Sequence, residues 1–162
     1  APYPDLQIAS VATTPTSGWQ TGSVVTINWV TTNSGTRATA GSWNESVVVR
    51  NTNTSQTILN TSTNYAAGEP GNGDLAPNTS RARSLSFVMP TDASAVGAFE
   101  VVVTTDSDSG VLEAGVTTLV AVTITSSSFA LSDALAAAAA LIHLPIAEAR
   151  PMPAAQEAVQ AR

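Results

Sequence analysis

The sequence predicts an all-β fold, a sandwich of about seven strands, followed by a C-terminal α-helical tail. Up to about residue 125, short stretches rich in Val, Ile and Thr alternate apolar with polar residues and are separated by turn residues. Directly afterwards, apolar residues recur at the spacing of a helix face. Since no helix interrupts the strands, two packed antiparallel sheets are expected. We therefore divide the chain into a β-sandwich, residues 1–125, and a helical apolar tail, residues 126–162.

The strands follow from alternation and from the turn residues between them. The clearest is Ser23–Thr32, in which Val25, Ile27 and Trp29 share one face. A loop rich in Gly, Pro and Asn is expected over residues 63–79. Val111 begins a short apolar run before the last strand. The predicted strands are Leu6–Thr14, Ser23–Thr32, Trp43–Arg50, Gln56–Asn60, Arg83–Met89, Ala98–Thr105 and Thr118–Ile124.

The tail has the pattern of a short amphipathic helix within Phe129–Ala147. Ser132 is the expected N-cap, and Pro145 ends the helix because it cannot continue the hydrogen-bond ladder. A complete sandwich does not need an added apolar helix, so we predict that the tail docks on a neighbouring copy. Docking on its own sandwich and a loosely ordered terminus are the alternatives. The predicted interface residues are Leu131, Leu135, Ala138, Leu141 and Ile142.

Composition restricts the class of protein. Charged residues are only 11% of the chain and Ser and Thr together number 40, which favours a secreted or surface protein with a hydroxyl-rich exterior. Cys is absent, which excludes disulfides and thiolate catalysis and is compatible with secretion. The net charge is −6 and all six basic residues are Arg, so nucleic acid is not an expected partner. The opening Ala-Pro-Tyr-Pro would fit a mature N-terminus after signal cleavage, and a domain excised from a longer chain would look the same. The apolar stretch at 134–147 is too short for a membrane span, which needs about 20 residues.

Several short stretches between about residues 4 and 125 form a recognisable series. They are Pro4-Asp5-Leu6, Val25–Thr36, Gly41-Ser42-Trp43, Gly73-Asp74-Leu75-Ala76-Pro77, Met89-Pro90, Val101–Asp106 and Val111-Leu112-Glu113. In their order and spacing these stretches resemble the CARDB family, the cell-adhesion-related domain of bacteria.

The resemblance implies an immunoglobulin-like sandwich in a secreted or surface protein of bacteria or archaea, often present in tandem arrays. Two positions depart from the family pattern. Asn78 stands where the family often has Gly, and Ala114-Gly115-Val116 follow Glu113 where the family usually has paired Asn. The second departure argues against carrying over a site at that turn. The helical tail is not part of the family domain.

No arrangement of residues indicates catalysis, and none is assigned as catalytic. His143, the single histidine, lies in the Ala-rich tail without a nucleophile motif nearby. Asp106 and Asp108, two residues apart in a turn, are the candidates for a calcium ion, and Asp5 and Asp92 would add ligands if they lay at the same end of the sandwich. The spacing lacks the further acids of a calcium loop. An Asx-rich hairpin turn is the preferred interpretation. No other cofactor is expected.

Tryptophans and sequons supply the remaining candidate sites. Trp29 and Trp43 are expected in the core, whereas Trp19, between Gly18 and Gly22, is the candidate for an exposed sugar-stacking ring. Four Asn-x-Ser/Thr sequons are candidates for covalent glycans. They begin at Asn44, Asn53, Asn60 and Asn78.

The preferred interpretation is a non-enzymatic extracellular structural protein, a self-assembling subunit of a bacterial surface fibre or adhesive layer. The adhesion-type sandwich, the lack of a catalytic grouping and the apolar tail favour it. One alternative is a carbohydrate- or surface-ligand-binding module that uses Trp19 and the loop at residues 63–79. Another is a spacer domain of a larger secreted adhesin.

Overall fold

A computed structural model of the protein describes residues 2–111 and 119–125. The predicted helical tail, including Leu131, Leu135, Ala138, Leu141, Ile142 and His143, lies outside the described residues. Within them, no helix has the length and apolar character needed to cross a membrane. The elements in chain order are β1 (Leu6–Thr14), β2 (Val24–Asn33), β3 (Trp43–Asn51), β4 (Gln56–Tyr65), β5 (Ser80–Val88), a 3₁₀ helix (Ala93–Ala95), β6 (Ala98–Thr104) and β7 (Leu119–Thr125).

The seven strands form two antiparallel sheets, which confirms the predicted sandwich. One sheet has the strand order β1-β2-β5 and the other has the order β4-β3-β6-β7. Strands β1 and β7, from different sheets, approach each other and close one side of the sandwich. Strands β4 and β5 are therefore the edge strands of the opposite side.

Two strands are longer than their sequence patterns predicted. β4 continues beyond Asn60 to Tyr65, which pairs with Trp43 at the start of β3. The extension was missed because Thr61, Ser62, Thr63 and Asn64 are all polar and show no alternation. β5 begins at Ser80, three residues before its predicted start. Val111 lies in a bend and not in a strand.

The core fills the space between the sheets with the residues that alternation placed there. β2 contributes Val25, Ile27 and Trp29, and Trp43 is also buried, as predicted. Because these buried side chains alternate with more accessible ones, each sheet buries one face. The other inward-facing core residues on strands β3 and β6 are Val47, Val49, Phe99, Val101 and Val103.

The prediction that Trp19 is an exposed ring is wrong, because only 1% of this residue is accessible. Its ring stacks on Phe99 with centroids 5.5 Å apart and meets the edge of Phe87 at 6.0 Å. Its Nε1 donates to the Pro15 carbonyl oxygen at 3.1 Å. Gly18 on one side adopts a positive φ of 69°, a turn that L side chains rarely allow. The flanking glycines signalled a turn, but this turn directs the ring inward.

Glu45 is a buried acid that sequence alternation alone did not single out. It lies on β3 with 0% exposure and accepts hydrogen bonds from four side chains. Trp29 Nε1 donates at 3.0 Å, Trp43 Nε1 at 3.3 Å, and Thr31 Oγ1 also donates. Arg83 Nε completes the set at 2.8 Å as an ion pair. An ionised carboxylate has about four acceptor sites, so each donor finds one.

This carboxylate joins the two sheets. Trp29 and Thr31 belong to β2 and Arg83 to β5, so three of its donors come from the three-stranded sheet, while Glu45 itself belongs to the four-stranded one. Arg83 also donates from Nη2 to the Asn64 carbonyl oxygen of β4 at 2.8 Å. A buried charge is stable only when it is paired and fully hydrogen-bonded. The sandwich therefore has a polar clamp, which we define as Glu45 with its four donors.

We predict that Glu45→Ala lowers the free energy of unfolding by about 3–5 kcal/mol, because it leaves the Arg83 charge and two indole N–H groups without their acceptor. Urea denaturation followed by tryptophan fluorescence measures this loss. The control is Glu69→Ala, an exposed loop acid, with an expected change within about 0.5 kcal/mol. Equal effects of the two substitutions would show that the clamp contributes nothing.

Candidate functional site

The loops at one end of the sandwich are held together by the side chain of Asn33, which is fully buried at the end of β2. Its Oδ1 accepts from the backbone N–H groups of Asp5 and Gly35, both at 3.0 Å. Its Nδ2 donates to the carbonyl oxygens of Arg37 at 2.7 Å and Leu75 at 2.8 Å. All four hydrogen-bonding positions of the amide are used. One side chain thus fixes the N-terminal segment, the β2–β3 loop and the β4–β5 loop.

A cleft of about 370 Å³ opens at this loop end. Tyr3 is 36% exposed and contributes an aromatic ring, and the exposed Arg37 contributes a positive charge. No described residue that lines the cleft is an acid or a histidine, so it offers contacts to a ligand but no acid–base pair. The lining residues are Pro2, Tyr3, Pro4, Arg37, Ala38, Ala40, Gly110 and Val111.

The ligand region predicted from the sequence does not form one site. Trp19 packs on Phe87 and Phe99, near the start of β2. The β4–β5 loop instead lies at the Asn33 end, since Leu75 accepts from the Asn33 amide. A strand of β2's length separates these two ends by about 30 Å. A binding function would therefore depend on the loop-end cleft, without Trp19.

The turn after β6 uses both of its acids as structural acceptors. Asp106 is 5% exposed, and burial raises the pKa of its carboxyl despite a hydrogen bond accepted from Val111 N at 3.1 Å. Asp108 is exposed and accepts from the backbone N–H of Asn44 at 3.1 Å, which lowers the pKa of Asp108. The Asp108 bond attaches the turn to the start of β3, whereas the Asp106 bond closes the turn on itself. Calcium at Asp106 and Asp108 stays a prediction.

Residues 2–111 and 119–125 place no three His, Asp or Glu side chains together as a metal site. Glu113, the next acid along the chain, lies outside the described residues.

The four sequons differ in the hydrogen bonds that their Asn side chains make. Asn44 donates from Nδ2 to Asp108 and accepts from Asn64, and Asn53 Oδ1 accepts from Ala98 N at 2.6 Å. Asn60 is exposed on the edge strand β4, and Asn78 is exposed in a loop with a φ of 57°. Glycosylation at all four positions stays a prediction, and the last two offer the least obstructed amides.

We predict opposite pH effects for the two acids of this turn. The pKa of Asp106 is raised on folding, so its contribution to stability is present below its unfolded-state pKa and is lost as pH rises through its folded-state pKa. The pKa of Asp108 is lowered, so its contribution is present above its unfolded-state pKa and is lost as pH falls through its folded-state pKa. Relative to wild type, Asp106→Asn gains stability as pH rises from about 2 to about 7, and Asp108→Asn loses it.

Urea midpoints measured across this pH range test both signs. The Asp108 effect is expected below about 1 kcal/mol because the group is exposed. Parallel pH profiles for wild type and both variants would contradict these assignments.

No family model and no curated protein sequence matches the chain. Its fold is similar to the crystal structure of a CARDB domain from Pyrococcus furiosus in complex with di-metal ions. The TM-score is 0.50, at 13% identity over 78% of this chain and 98% of that one. A solution NMR structure of that domain gives a TM-score of 0.46 at 15% identity, covering 78% of this chain and 100% of that one.

A third similar structure is β-glucosidase 3B from Thermotoga neapolitana in complex with α-D-glucose, with a TM-score of 0.42 at 16% identity. This match covers 73% of the present chain but only 17% of the enzyme. At these identities the likeness concerns the fold alone. The resemblance predicted from the sequence is confirmed at that level, and the chain has a CARDB-like immunoglobulin fold.

Proposed function

We propose that this chain is a non-enzymatic structural subunit outside the cell, which associates with copies of itself into a surface fibre or adhesive layer. The observation that carries the proposal is how the described domain uses its acids. Glu45 holds the two sheets together, Asp106 and Asp108 hold the turn directly after β6, and Asp92 caps the 3₁₀ helix by accepting from Ser94 N at 2.9 Å. Asp74 accepts from Gly41 N at 3.2 Å. Side chains that would supply acid–base chemistry are thus used to stabilise structure.

The outer face of the three-stranded sheet supports a role in association. Strand register places Thr26 opposite Ser86 and Thr32 opposite Ser80, and each pair is hydrogen-bonded at 2.8 Å. None of the described residues that β1, β2 and β5 direct to this face is ionisable. For a chain with a net charge of −6, such a face lets copies approach with little repulsion. Hydroxyl groups in place of charges also fit an extracellular surface.

We predict that removing residues 126–162 abolishes assembly while leaving the sandwich folded. Light scattering and electron microscopy of the chain with and without these residues measure particle size over a range of concentrations. An unchanged urea midpoint for the shortened chain is the control that its domain is intact. Undiminished fibres after truncation would reject the role of the tail, and a monomeric intact chain would reject assembly itself.

Covalent glycans would add hydration that the scarce charges do not supply, and Asn60 is the sequon best exposed on a strand. After expression in an N-glycosylating host, we predict glycan mass on Asn60, which Asn60→Gln removes. Asn44→Gln is the matched control and is expected to leave the mass unchanged, because the Asn44 amide is engaged with Asp108. Mass spectrometry of glycosidase-treated peptides gives the measurement, and an unmodified Asn60 would contradict the assignment.

A further inference from the structure

The open side of the sandwich, between edge strands β4 and β5, has an apolar half that suits a second copy of the chain. We propose that this half receives the stripe of apolar residues at 131–142 from the tail of a neighbouring copy. This inference rests on the proposed self-assembly and names the surface through which it occurs. We call the space between the facing edges of β4 and β5 the seam.

Arginines close the half of the seam next to Tyr65, which we call the upper half. The other half, next to Ile58, is the lower half. Arg83 on β5 reaches β4 and donates from Nη2 to the Asn64 carbonyl oxygen at 2.8 Å and to Thr63 Oγ1 at 3.5 Å. Its guanidinium lies 5.4 Å from the centroid of the Tyr65 ring, and that of Arg81 lies at 5.9 Å. Charged side chains that point inward from an edge strand are a known protection against strand pairing. This half of the seam is therefore already occupied.

Among the described residues no charged side chain reaches across the lower half of the seam, although the 3₁₀ helix contacts β4. Ile58 and Leu59 on β4 and Leu85 and Phe87 on β5 are half-buried and pack against the core from its open side. The side-chain hydrogen bonds described between β4 and β5 both come from Arg83, above this region. Two edge strands with free backbone groups and half-exposed apolar side chains are a site for association.

The tail of another copy fits this half in charge and in length. The predicted stripe from Leu131 to Ile142 contains no ionisable residue on its apolar face, like the lower seam. As a helix, the twelve residues from Leu131 to Ile142 would span eleven steps of 1.5 Å, about 17 Å. Five residue steps of β4, from Gln56 to Thr61, also span about 17 Å. When the two surfaces meet, each buries apolar area that was exposed to water.

The proposed self-assembly calls for a contact between copies, and the two edges of the four-stranded sheet suit one. Strand β7 ends at Thr125 on the edge of the four-stranded sheet opposite to β4, beside β1. The last described strand therefore ends on one side of the sandwich, and the apolar half of the seam lies on the other. A contact that joins opposite sides of identical subunits is head-to-tail, and without closure it generates a filament.

Disulfide trapping between two full-length variants tests this contact, because the natural chain has no Cys. One variant carries Thr61→Cys on β4 and the other carries Ala138→Cys in the tail, with an affinity tag to separate the heterodimer on a non-reducing gel. The matched control replaces Thr61→Cys with Thr36→Cys, an exposed position in the β2–β3 loop that belongs neither to the seam nor to the outer face of the three-stranded sheet. Docking raises the local thiol concentration, so we expect at least about tenfold more heterodimer with Thr61→Cys.

Equal yields from the two positions would overturn the seam contact. So would an internal disulfide that forms in dilute, monomeric chains carrying both Thr61→Cys and Ala138→Cys, because the tail would then occupy its own sandwich. Light scattering of the wild-type chain separates this failure from failure of the proposed function. If the wild-type chain forms particles but no heterodimer is trapped, self-assembly is supported and the seam contact is wrong. If the wild-type chain is monomeric, both proposals are wrong.

Discussion

The buried carboxylate of Glu45 is the interaction on which the rest of the structure depends. It connects β3 to β2 and β5 through four donors and fixes the distance between the two sheets. The same ion pair directs Arg83 across the open side of the sandwich to the β4 backbone. The clamp therefore determines which half of that side is closed and which half remains apolar. Stability and the proposed association surface have one physical origin.

Buried amides play a similar part at the two ends of the domain. Asn33 uses all four of its hydrogen-bonding positions to hold loops at one end. Asn51 does the same at the other end, where Nδ2 donates to Ser94 and Val96 and Oδ1 accepts from Asn53 and Thr54. Each lies at the end of a strand with 0% exposure. A chain with few charges is thus organised by fully satisfied buried polar groups, whose directional bonds specify one arrangement of the loops.

Alternation and turn residues were sufficient to predict the sandwich, because strand period and burial follow directly from the order of side chains. The same reasoning missed Glu45, since an acid at an inward position is recognisable only when its donors on other strands are known. Trp19 was misjudged because flanking glycines announce a turn without saying where the ring points. The polar end of β4 had no alternation to detect. What sequence could not supply was therefore long-range pairing of polar groups, which depends on the assembled fold.

Hydrogen exchange of the full-length chain, above and below its assembly concentration, tests the central claim most directly. If the apolar half of the seam receives a neighbour, backbone amides of residues 56–61 and 84–88 become protected on assembly, while those at the β1 edge, residues 6–14, do not change. Protection confined to other strands, or no difference between the two concentrations, would contradict the account.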